Sequence, residues 1–203
     1  MMAYTEREIK FYIADLPALA DRLRICGGEL VRPRTLERNL RMDTPDHDLQ
    51  QADRLLRLRK DDQARVTFKA NARVEGGVVA RTEIEFTVDD FEVARKLFEA
   101  LGYQVMVVYE KYRRVFRIGD VTVTLDELPF GDFIEIEAAN NALIEGVAQM
   151  LGLDWSKGIS MNYLSLFEVA KQHAGFSFND LVFDNFQDIV LTPADLEVEP
   201  ADK

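Results

Sequence analysis

The chain has 203 residues, of which 47% are hydrophobic, and a formal net charge of −11 at pH 7. These values are typical of one soluble globular domain, and the acidic balance argues against a general nucleic-acid binder, because affinity for the phosphate backbone comes mainly from excess Lys and Arg. The sequence has no apolar run of about 18 residues or more and no secretory signal pattern, so we expect a cytoplasmic protein without a membrane span. The lone Cys26 is expected to be a small buried hydrophobe.

The first half of the chain predicts one strand, one helix and four further strands. Residues 5–13 alternate polar and apolar side chains, which is the pattern of a strand with one buried face. The helix that follows begins after Asp15, which can cap its first turn, and ends at Gly27. The next strands are predicted at residues 38–43, 54–60, 64–71 and 79–87.

The second half of the chain predicts three strands with helices on either side. Strands are predicted at residues 104–118, 120–127 and 132–138, and helices at 89–102, 140–151 and 160–173. Short connections between strands favour an antiparallel sheet or closed barrel with helices outside over parallel βαβ units. The predicted fold class is therefore α+β.

We divide the chain into a domain of residues 1–173 and an acidic tail of residues 174–203. The tail holds −6 of the net charge of −11. Its aromatic part, "FSFNDLVFDNF", is expected to pack against the barrel or a partner chain, which keeps a homodimer open. Its end, "TPADLEVEPADK", is expected to be disordered because it has too little apolar surface to order itself.

Charged or polar residues occupy every second position of the predicted strands. In the first strand Glu6, Glu8 and Lys10 share one face, opposite a face of Ile and Phe side chains. The same alternation recurs in "LLRLRK", "RVTFKA", "ARTEIEF", "EKYRRVF", "VTVTLDEL" and "FIEIEA". A solvated outer face would explain it, but Lys, Glu, Thr and Gln would then serve equally. Because Arg and Glu predominate, we favour a sheet closed on itself, with its charged faces turned inward around a water-filled lumen.

The charges on these faces form two chemical sets. The cations suit a polyanion whose oxygens accept hydrogen bonds from guanidinium and ammonium groups; they are Lys10, Arg57, Arg59, Lys69, Arg81, Lys111 and Arg113. The carboxylates suit hard divalent cations such as Mg²⁺ or Mn²⁺; they are Glu6, Glu8, Glu83, Glu85, Asp126, Glu135 and Glu137. A phosphate chain that bridges a metal ion to Arg and Lys would satisfy both sets.

These motifs resemble those of the CYTH superfamily, or triphosphate tunnel metalloenzymes, which includes class IV adenylyl cyclases, thiamine triphosphatases and inorganic tripolyphosphatases. The first strand matches the family pattern Glu-x-Glu-x-Lys as Glu6, Glu8 and Lys10. Further matches follow in family order as "DTPDHDL", "LRLRK", "TFK", "RTEIE", "EKYR" and "LDELPFGDFIEIE", and "NYLSLF" resembles the closing helix of the family. The plan of the chain resembles the cyclase and thiamine triphosphatase branch most.

The resemblance implies an eight-stranded antiparallel tunnel with helices packed outside, and it implies roles for the charged residues. It implies metal ligands at Glu6, Glu8, Glu135 and Glu137, with Asp126 in or near the metal shell. It implies triphosphate contacts from Arg57, Arg59, Lys69, Lys111 and Arg113, and it places the catalytic Lys10 near the reacting phosphoryl group. Arg81 is counted with the substrate contacts, whereas Glu83 and Glu85 match family-like positions without an assigned role.

Five other residues are given more ordinary roles. Arg41 stands where many relatives have an aromatic residue, and we favour a surface charge there over an additional phosphate contact. His47 lies in a turn and His173 at a helix end, so both are expected to be solvated and no histidine base is implied. Trp155 and Tyr163 are expected to belong to the core rather than to a base-stacking platform.

The expected function is metal-dependent hydrolysis of a small-molecule triphosphate, such as tripolyphosphate or a nucleoside or thiamine triphosphate. Hydrolysis is preferred because it requires no nucleoside pocket. The alternative is a class IV adenylyl cyclase, in which the ribose 3′-oxygen of ATP attacks the α-phosphorus and pyrophosphate leaves. A non-catalytic binder of polyphosphate or nucleotide is the second alternative, although such a binder would be expected to lose the metal carboxylates that this sequence keeps.

Overall fold

The computed structural model describes residues 4–202, and these residues form eight β-strands and five α-helices. Residues 1–3 and 203, which the predicted domain and tail include, lie outside the described residues. The strands are β1 Tyr4–Ile13, β2 Glu29–Asp43, β3 Leu55–Lys60, β4 Ala64–Glu75, β5 Val78–Val88, β6 Gln104–Ile118, β7 Val121–Leu128 and β8 Gly131–Glu137. The helices are α1 Leu16–Ile25, α2 Asp48–Gln51, α3 Phe91–Ala100, α4 Asn141–Met150 and α5 Tyr163–Ala174.

The eight strands close into one antiparallel ring in the order β1-β5-β4-β3-β2-β6-β7-β8. β1 completes the ring because it pairs with β5 through residues 4–8 and with β8 through residues 8–13. The predicted α+β class and the closed tunnel are therefore confirmed. Since the strands alternate, one face of each strand looks into the ring and the other looks out toward the helices.

The helices cover the apolar outer faces in three clusters. α1 and α4 pack on the outer face of β1, β7 and β8, where Phe11, Val123 and Ile134 are fully buried. α5 packs on a second region around Phe133, and α3 packs on β3 through Phe91 and Ala94. The charged faces are thus left to the interior of the ring, as the alternation in the sequence predicts.

β2 is longer than predicted, since it begins at Glu29 instead of residue 38. Its first half is mostly exposed and contains Pro33, and its register against β6 shifts between Leu30 and Arg32 and again between Arg32 and Thr35. These bulges break the two-residue alternation, so the sequence pattern of this segment is not that of a regular strand. The extra length brings Glu37 into the ring.

The prediction of a disordered chain end is wrong. Leu196 and Ala201 are fully buried, and the backbone N–H of Ala201 donates to the carbonyl of Tyr12 on β1 at 3.0 Å. The carboxylate of Asp202 accepts the backbone N–H groups of Ala14 and Asp15, both at 2.9 Å, just before α1. Although the segment is acidic, its few apolar residues are spaced to face the barrel, and its backbone satisfies free donors and acceptors of β1. The Phe-rich segment also packs on the barrel side, with Phe176 and Phe178 stacked near α5.

Candidate active site

The inward faces of the strands surround a cavity of about 260 Å³ whose lining is mostly ionic. Nine basic side chains line it, namely Lys10, Arg32, Arg41, Arg57, Arg59, Lys69, Arg81, Lys111 and Arg113. Seven carboxylates line it as well, namely Glu6, Glu8, Glu37, Glu83, Glu85, Glu135 and Glu137. The lumen therefore has a surplus of positive charge inside a protein of net charge −11. The electrostatic field of these lining charges attracts anions into the lumen.

One part of the lining concentrates carboxylates. Glu8 on β1 and Glu137 on β8 are directly opposed in the strand register. Burial, together with repulsion from Glu6 and Glu8, raises the pKa of Glu137 to about 7. Burial also raises the pKa of Glu6, although attraction by Lys69 opposes that shift. We call Glu6, Glu8 and Glu137 the acidic wall of the lumen. Because opposed like charges destabilise a strand pair, the acidic wall favours a bound cation.

Lysine and arginine side chains form ion pairs with three carboxylates of the lumen, Glu6, Glu83 and Glu8. Lys69 Nζ lies 2.5 Å from Glu6 Oε2 and 2.9 Å from Glu83 Oε2. Arg81 Nη2 donates to Glu8 Oε1 at 2.8 Å. The roles of Glu83 and Glu85, which the sequence left unassigned, are therefore visible in the geometry: Glu83 anchors Lys69, and Glu85 lies 3.3 Å from Arg59.

Lys10 is fixed from three sides at the junction of β1, β8 and the segment before α5. Its Nζ lies 3.0 Å from Glu135 Oε1 and 4.5 Å from the centre of the Tyr163 ring. Its carbonyl accepts the backbone N–H of Ile159 at 2.7 Å. The close approach is favoured by Gly158, because a Cβ there would lie 2.7 Å from the end of the Ile9 side chain, which would have to shift. Burial raises the pKa of Glu135, but Lys10 and Arg113 outweigh it and hold that pKa well below its usual range.

Asp126 holds cations in place and does not line the cavity. Its carboxylate is fully buried and accepts hydrogen bonds from Lys111 Nζ at 2.8 Å, Arg113 Nε at 2.6 Å and the hydroxyl of Tyr163 at 2.8 Å. Burial raises the pKa of Asp126, but the two cations more than offset this and lower it. The structure thus gives Asp126 the geometry of an anchor for Lys111 and Arg113, whereas the sequence suggested a place in or near the metal shell.

Arg57 and Arg59 project into the lumen from β3. Arg57 Nη2 donates to Thr67 Oγ1 at 3.1 Å, and its Nη1 lies 3.5 Å from the hydroxyl of Tyr109. Glu37 is fully buried beside Arg59, whose Nη1 lies 3.8 Å from its carboxylate. Neither oxygen of Glu37 has a hydrogen-bond partner, so it balances charge in this basic region without binding one cation tightly.

Each of the predicted site residues except Asp126 lines the same cavity. Three further lining residues, Glu37, Arg32 and Tyr109, were not predicted, and the prediction of a surface charge at Arg41 is wrong because this residue lines the lumen. The alternation of Glu37, Asn39 and Arg41 was the available signal, but the predicted strand began too late to reveal it.

The more ordinary roles are largely as expected. Trp155 packs against Phe11 with ring centres 6.0 Å apart, and His47 is exposed in a turn. His173 is exposed near the end of α5 and lies 3.2 Å from Glu197. Cys26 is only half-buried. Tyr163 is buried as predicted, but it also borders the lumen.

The donor chemistry of the acidic wall fits a hard divalent cation. Within residues 4–202, however, no three His, Cys, Asp or Glu side chains are gathered around one point as ready metal ligands. The reason is that Glu6, Glu8 and Glu135 are turned toward Lys69, Arg81 and Lys10. A cation is favoured here because Glu8 and Glu137 are opposed in the strand register, and because burial with repulsion from Glu6 and Glu8 raises the pKa of Glu137.

No helix in the described part of the chain has the length and apolar character needed to cross a membrane.

Comparison with known proteins gives consistent matches. A family model described as the CYTH domain matches residues 5–150. A candidate adenylate cyclase of Methanocaldococcus jannaschii is 28% identical over 134 residues, which cover 65% of this chain and 75% of the relative. Adenylate cyclase CyaB of Aeromonas hydrophila is 27% identical over 149 residues, which cover 72% of this chain and 76% of the relative. A solved structure from Vibrio parahaemolyticus, described as a candidate adenylate cyclase, has the same fold, with a TM-score of 0.74, 20% identity, and coverage of 82% of this chain and 99% of its own.

Proposed function

The chain belongs to the CYTH domain family, and from this membership we propose that it is a cytoplasmic, divalent-metal-dependent enzyme that acts on a small-molecule triphosphate. One observation carries the proposal: the same lumen is lined by nine basic side chains and by seven carboxylates, two of which, Glu8 and Glu137, stand directly opposite each other. A polyanion alone would leave the repulsion in place, and a metal ion alone would leave the cations unneutralised. A metal triphosphate satisfies both.

The basic residues bind and orient the phosphate chain. Arg57, Arg59, Lys69, Arg81, Lys111 and Arg113 are proposed as the substrate contacts. Guanidinium groups bind phosphate oxygens in pairs, whereas lysines act as compact charges. Asp126 and Glu85 act as positioning residues, since they hold Lys111, Arg113 and Arg59 in place before substrate arrives. Such preorganisation lowers the cost of ordering these side chains on binding.

Four glutamates are proposed to hold Mg²⁺ or Mn²⁺, namely Glu6, Glu8, Glu135 and Glu137. The ion, when bound, would neutralise charge on the phosphate oxygens and polarise the reacting phosphoryl group. We expect phosphate oxygens to take over Lys69 and Arg81, whose present carboxylate partners then become available as ligands. Substrate and metal binding would therefore depend on each other.

Lys10 is proposed as the catalytic residue. Its ammonium group is held beside Glu135 and over the ring of Tyr163, where it borders the cavity. A fixed positive charge that meets the charge developing on the transferring phosphoryl group stabilises the transition state more than the bound substrate. In hydrolysis, an oxygen–phosphorus bond forms from water to the terminal phosphorus, the bridging oxygen leaves with the remaining diphosphate, and the proton of the water passes to solvent.

Hydrolysis remains the proposed reaction because the cavity lining is mainly ionic and hydrolysis requires no nucleoside site. Adenylyl cyclase activity is the second candidate, and the names of the relatives favour it. In that reaction the ribose 3′-oxygen of ATP bonds to the α-phosphorus and pyrophosphate leaves. Nucleic acid is not proposed as a ligand. A homodimer stays a prediction that light scattering can check.

The proposal is tested by incubating the protein with Mg²⁺ or Mn²⁺ and tripolyphosphate, ATP or thiamine triphosphate, and by resolving phosphate, pyrophosphate and cyclic AMP. Release of phosphate supports hydrolysis, and cyclic AMP with pyrophosphate supports the cyclase. Lys10→Ala should slow either reaction strongly. Metal and triphosphate together should also raise the melting temperature, since a ligand at a hundredfold excess over its Kd adds about 2.7 kcal/mol to the folded state. A large thermal shift without turnover would identify a non-catalytic binder.

A further inference from the structure

Part of one edge of β1 is left without a partner strand in the ring. On one side β8 pairs with residues 8–13, whereas on the other side β5 pairs only with residues 4–8. The edge left open includes Lys10, the proposed catalytic residue. Buried backbone carbonyls need hydrogen-bond donors, so the groups that complete this edge also fix the backbone position of Lys10.

Two segments that follow the barrel in the sequence complete this edge. The backbone N–H of Ile159 donates to the carbonyl of Lys10 at 2.7 Å, and the backbone N–H of Ala201 donates to the carbonyl of Tyr12 at 3.0 Å. Ala201 is fully buried and belongs to the apolar cluster around α1 and α4. Both segments lie outside residues 5–150, which the CYTH family model matches, so the matched domain does not include them.

The two segments are also bonded to each other. The carbonyl of Ala201 accepts the backbone N–H of Asp154 at 2.9 Å, and the carboxylate of Glu199 pairs with the ammonium group of Lys157. The carboxylate of Asp202 accepts the two backbone N–H groups that follow β1, both at 2.9 Å. Residues 199–202 therefore bridge β1 to the segment that precedes α5.

That segment leads directly into Tyr163, the first residue of α5. The ring of Tyr163 lies 4.5 Å from Lys10 Nζ, and its hydroxyl donates to Asp126 at 2.8 Å. The bridge thus joins the backbone that carries Lys10 to the backbone that carries Tyr163. Such precision matters for catalysis, since misplacement of a reacting group by about 1 Å can lower the rate about a hundredfold.

We propose that residues 199–202 form a clamp that positions Lys10 and Tyr163 for the catalytic step. The inference rests on the proposed function, because it takes Lys10 as the catalytic residue. The clamp should act on kcat more than on KM. Its hydrogen bonds go to β1, to the two residues after β1 and to Asp154, whereas the substrate arginines of β3 lie three strands away from β1 in the ring.

The test compares three variants with the wild type. Truncation after Val198 removes the clamp, Asp202→Ala removes only the acceptor for the residues after β1, and Glu197→Gln is the matched control. Glu197 lies in the same segment, but its carboxylate pairs with His173 of α5 at 3.2 Å and not with β1. We expect the variants to fold, because the ring of Trp155 still packs on β1.

The first measurement is hydrogen exchange of the backbone amides of residues 154–163, which does not depend on activity. Truncation after Val198 should speed this exchange about tenfold or more and Asp202→Ala about threefold, whereas residues 55–60 of β3 should exchange as in the wild type. Glu197→Gln should change neither region. Unchanged exchange at residues 154–163, or equal acceleration in both regions, would overturn the clamp. If the truncated protein does not fold, Asp202→Ala decides.

The second measurement is steady-state kinetics, well below the melting temperature, with Mg²⁺ and whichever triphosphate the wild type turns over. Truncation after Val198 should lower kcat about tenfold or more and change KM less than about twofold. Asp202→Ala should lower kcat about threefold, and Glu197→Gln should change neither constant. An unchanged kcat, or a loss confined to KM, would overturn the positioning role.

The two measurements separate the clamp from the proposed function. A wild type that turns over no triphosphate would contradict the proposed function and with it the effect on kcat, and the exchange rates would still show whether residues 199–202 hold the segment before α5. Wild-type turnover with truncated protein of the same kcat would contradict the clamp alone.

Discussion

Glu8 and Glu137 stand directly opposite each other on two neighbouring strands of the barrel. Like charges directly opposite each other destabilise a strand pair, and here both side chains border the lumen. Repulsion between the two carboxylates therefore lowers the stability of the barrel, and a bound divalent cation would offset it.

Glu137→Gln should accordingly stabilise the protein without metal and weaken its response to metal. We expect the free energy of unfolding in EDTA to rise by up to about 1 kcal/mol. The melting shift produced by Mg²⁺ with triphosphate should fall to less than half of the wild-type shift, since an amide is a poor ligand for a hard cation. Glu145→Gln, on the exposed face of α4, is the control and should leave both values unchanged. A wild-type metal response in Glu137→Gln would remove this residue from the metal site.

Asp132 should make stability depend on pH. It faces Glu127 across β7 and β8, and burial with that repulsion raises its pKa to about 6. A raised carboxylate pKa means that the folded state holds the proton more tightly than the unfolded state does. The contribution of Asp132 to the free energy of unfolding is therefore fully present below pH 3.8 and is lost as the pH rises through about 6. Asp132→Asn should thus add about 1–3 kcal/mol at pH 7.5 and little at pH 4.

Urea unfolding of Asp132→Asn and wild type at both pH values measures that difference. The exposed Asp120→Asn is a suitable control. A gain that is the same at both pH values would mean that the effect comes from the amide and not from the titration of Asp132.

Tyr163 should affect catalysis through the groups that it holds. Its hydroxyl donates to Asp126, and its ring lies 4.5 Å from Lys10 Nζ and 5.0 Å from Lys111 Nζ. Tyr163→Phe keeps the ring and should cost about 1–2 kcal/mol of stability, with a severalfold rise in KM, because Asp126 loses one donor. Tyr163→Leu also loses the ring and should lower kcat further.

Steady-state kinetics with the preferred triphosphate would separate these two effects. Tyr103→Phe, which changes a tyrosine in the cluster under α3, is the matched control. If Tyr163→Phe and Tyr103→Phe have the same KM and kcat, the hydroxyl of Tyr163 has no positioning role.

The C-terminal segment should contribute to stability, contrary to what its composition suggests. Leu196 is fully buried against α5, so Leu196→Ala should destabilise the fold by about 2–4 kcal/mol. Val190→Ala, at a position that is 92% exposed, should change stability by less than about 0.5 kcal/mol. Truncation before residue 190 should lower the melting temperature more than Leu196→Ala. Differential scanning calorimetry would show whether the truncated protein instead melts like wild type.

Much of the barrel can be predicted because strand geometry repeats every two residues. Charged or polar side chains alternate with apolar ones in β1, β3, β4 and β8, so the pattern indicates which face is apolar, and the short connections favour antiparallel pairing. The site follows from the same pattern, since residues such as Glu6 and Arg57 can share a lumen only if the sheet closes.

What the sequence could not reveal depends on contacts between distant segments. The bulges in the first half of β2 hide where the strand begins, so Glu37 fell outside the predicted strand, and Arg41 was assigned to the wrong face. The order of the last residues depends on a free edge of β1 near Tyr12, which no local property of residues 192–202 encodes. Likewise, whether Asp126 meets a metal or two cations depends on how β6 and β7 are aligned.

The closure of the ring by β1 also has a consequence for the order of folding. β1 leaves the ribosome before the rest of the barrel, but its partners are β5, β8 and the backbone at Ala201. A nascent chain therefore carries an unpaired strand edge at residues 8–13 until residues 131–137 have been synthesised. Contacts of such large sequence separation slow folding, typically to milliseconds or seconds. Chains that stop before residue 131 would keep that edge open and would be prone to aggregate during synthesis.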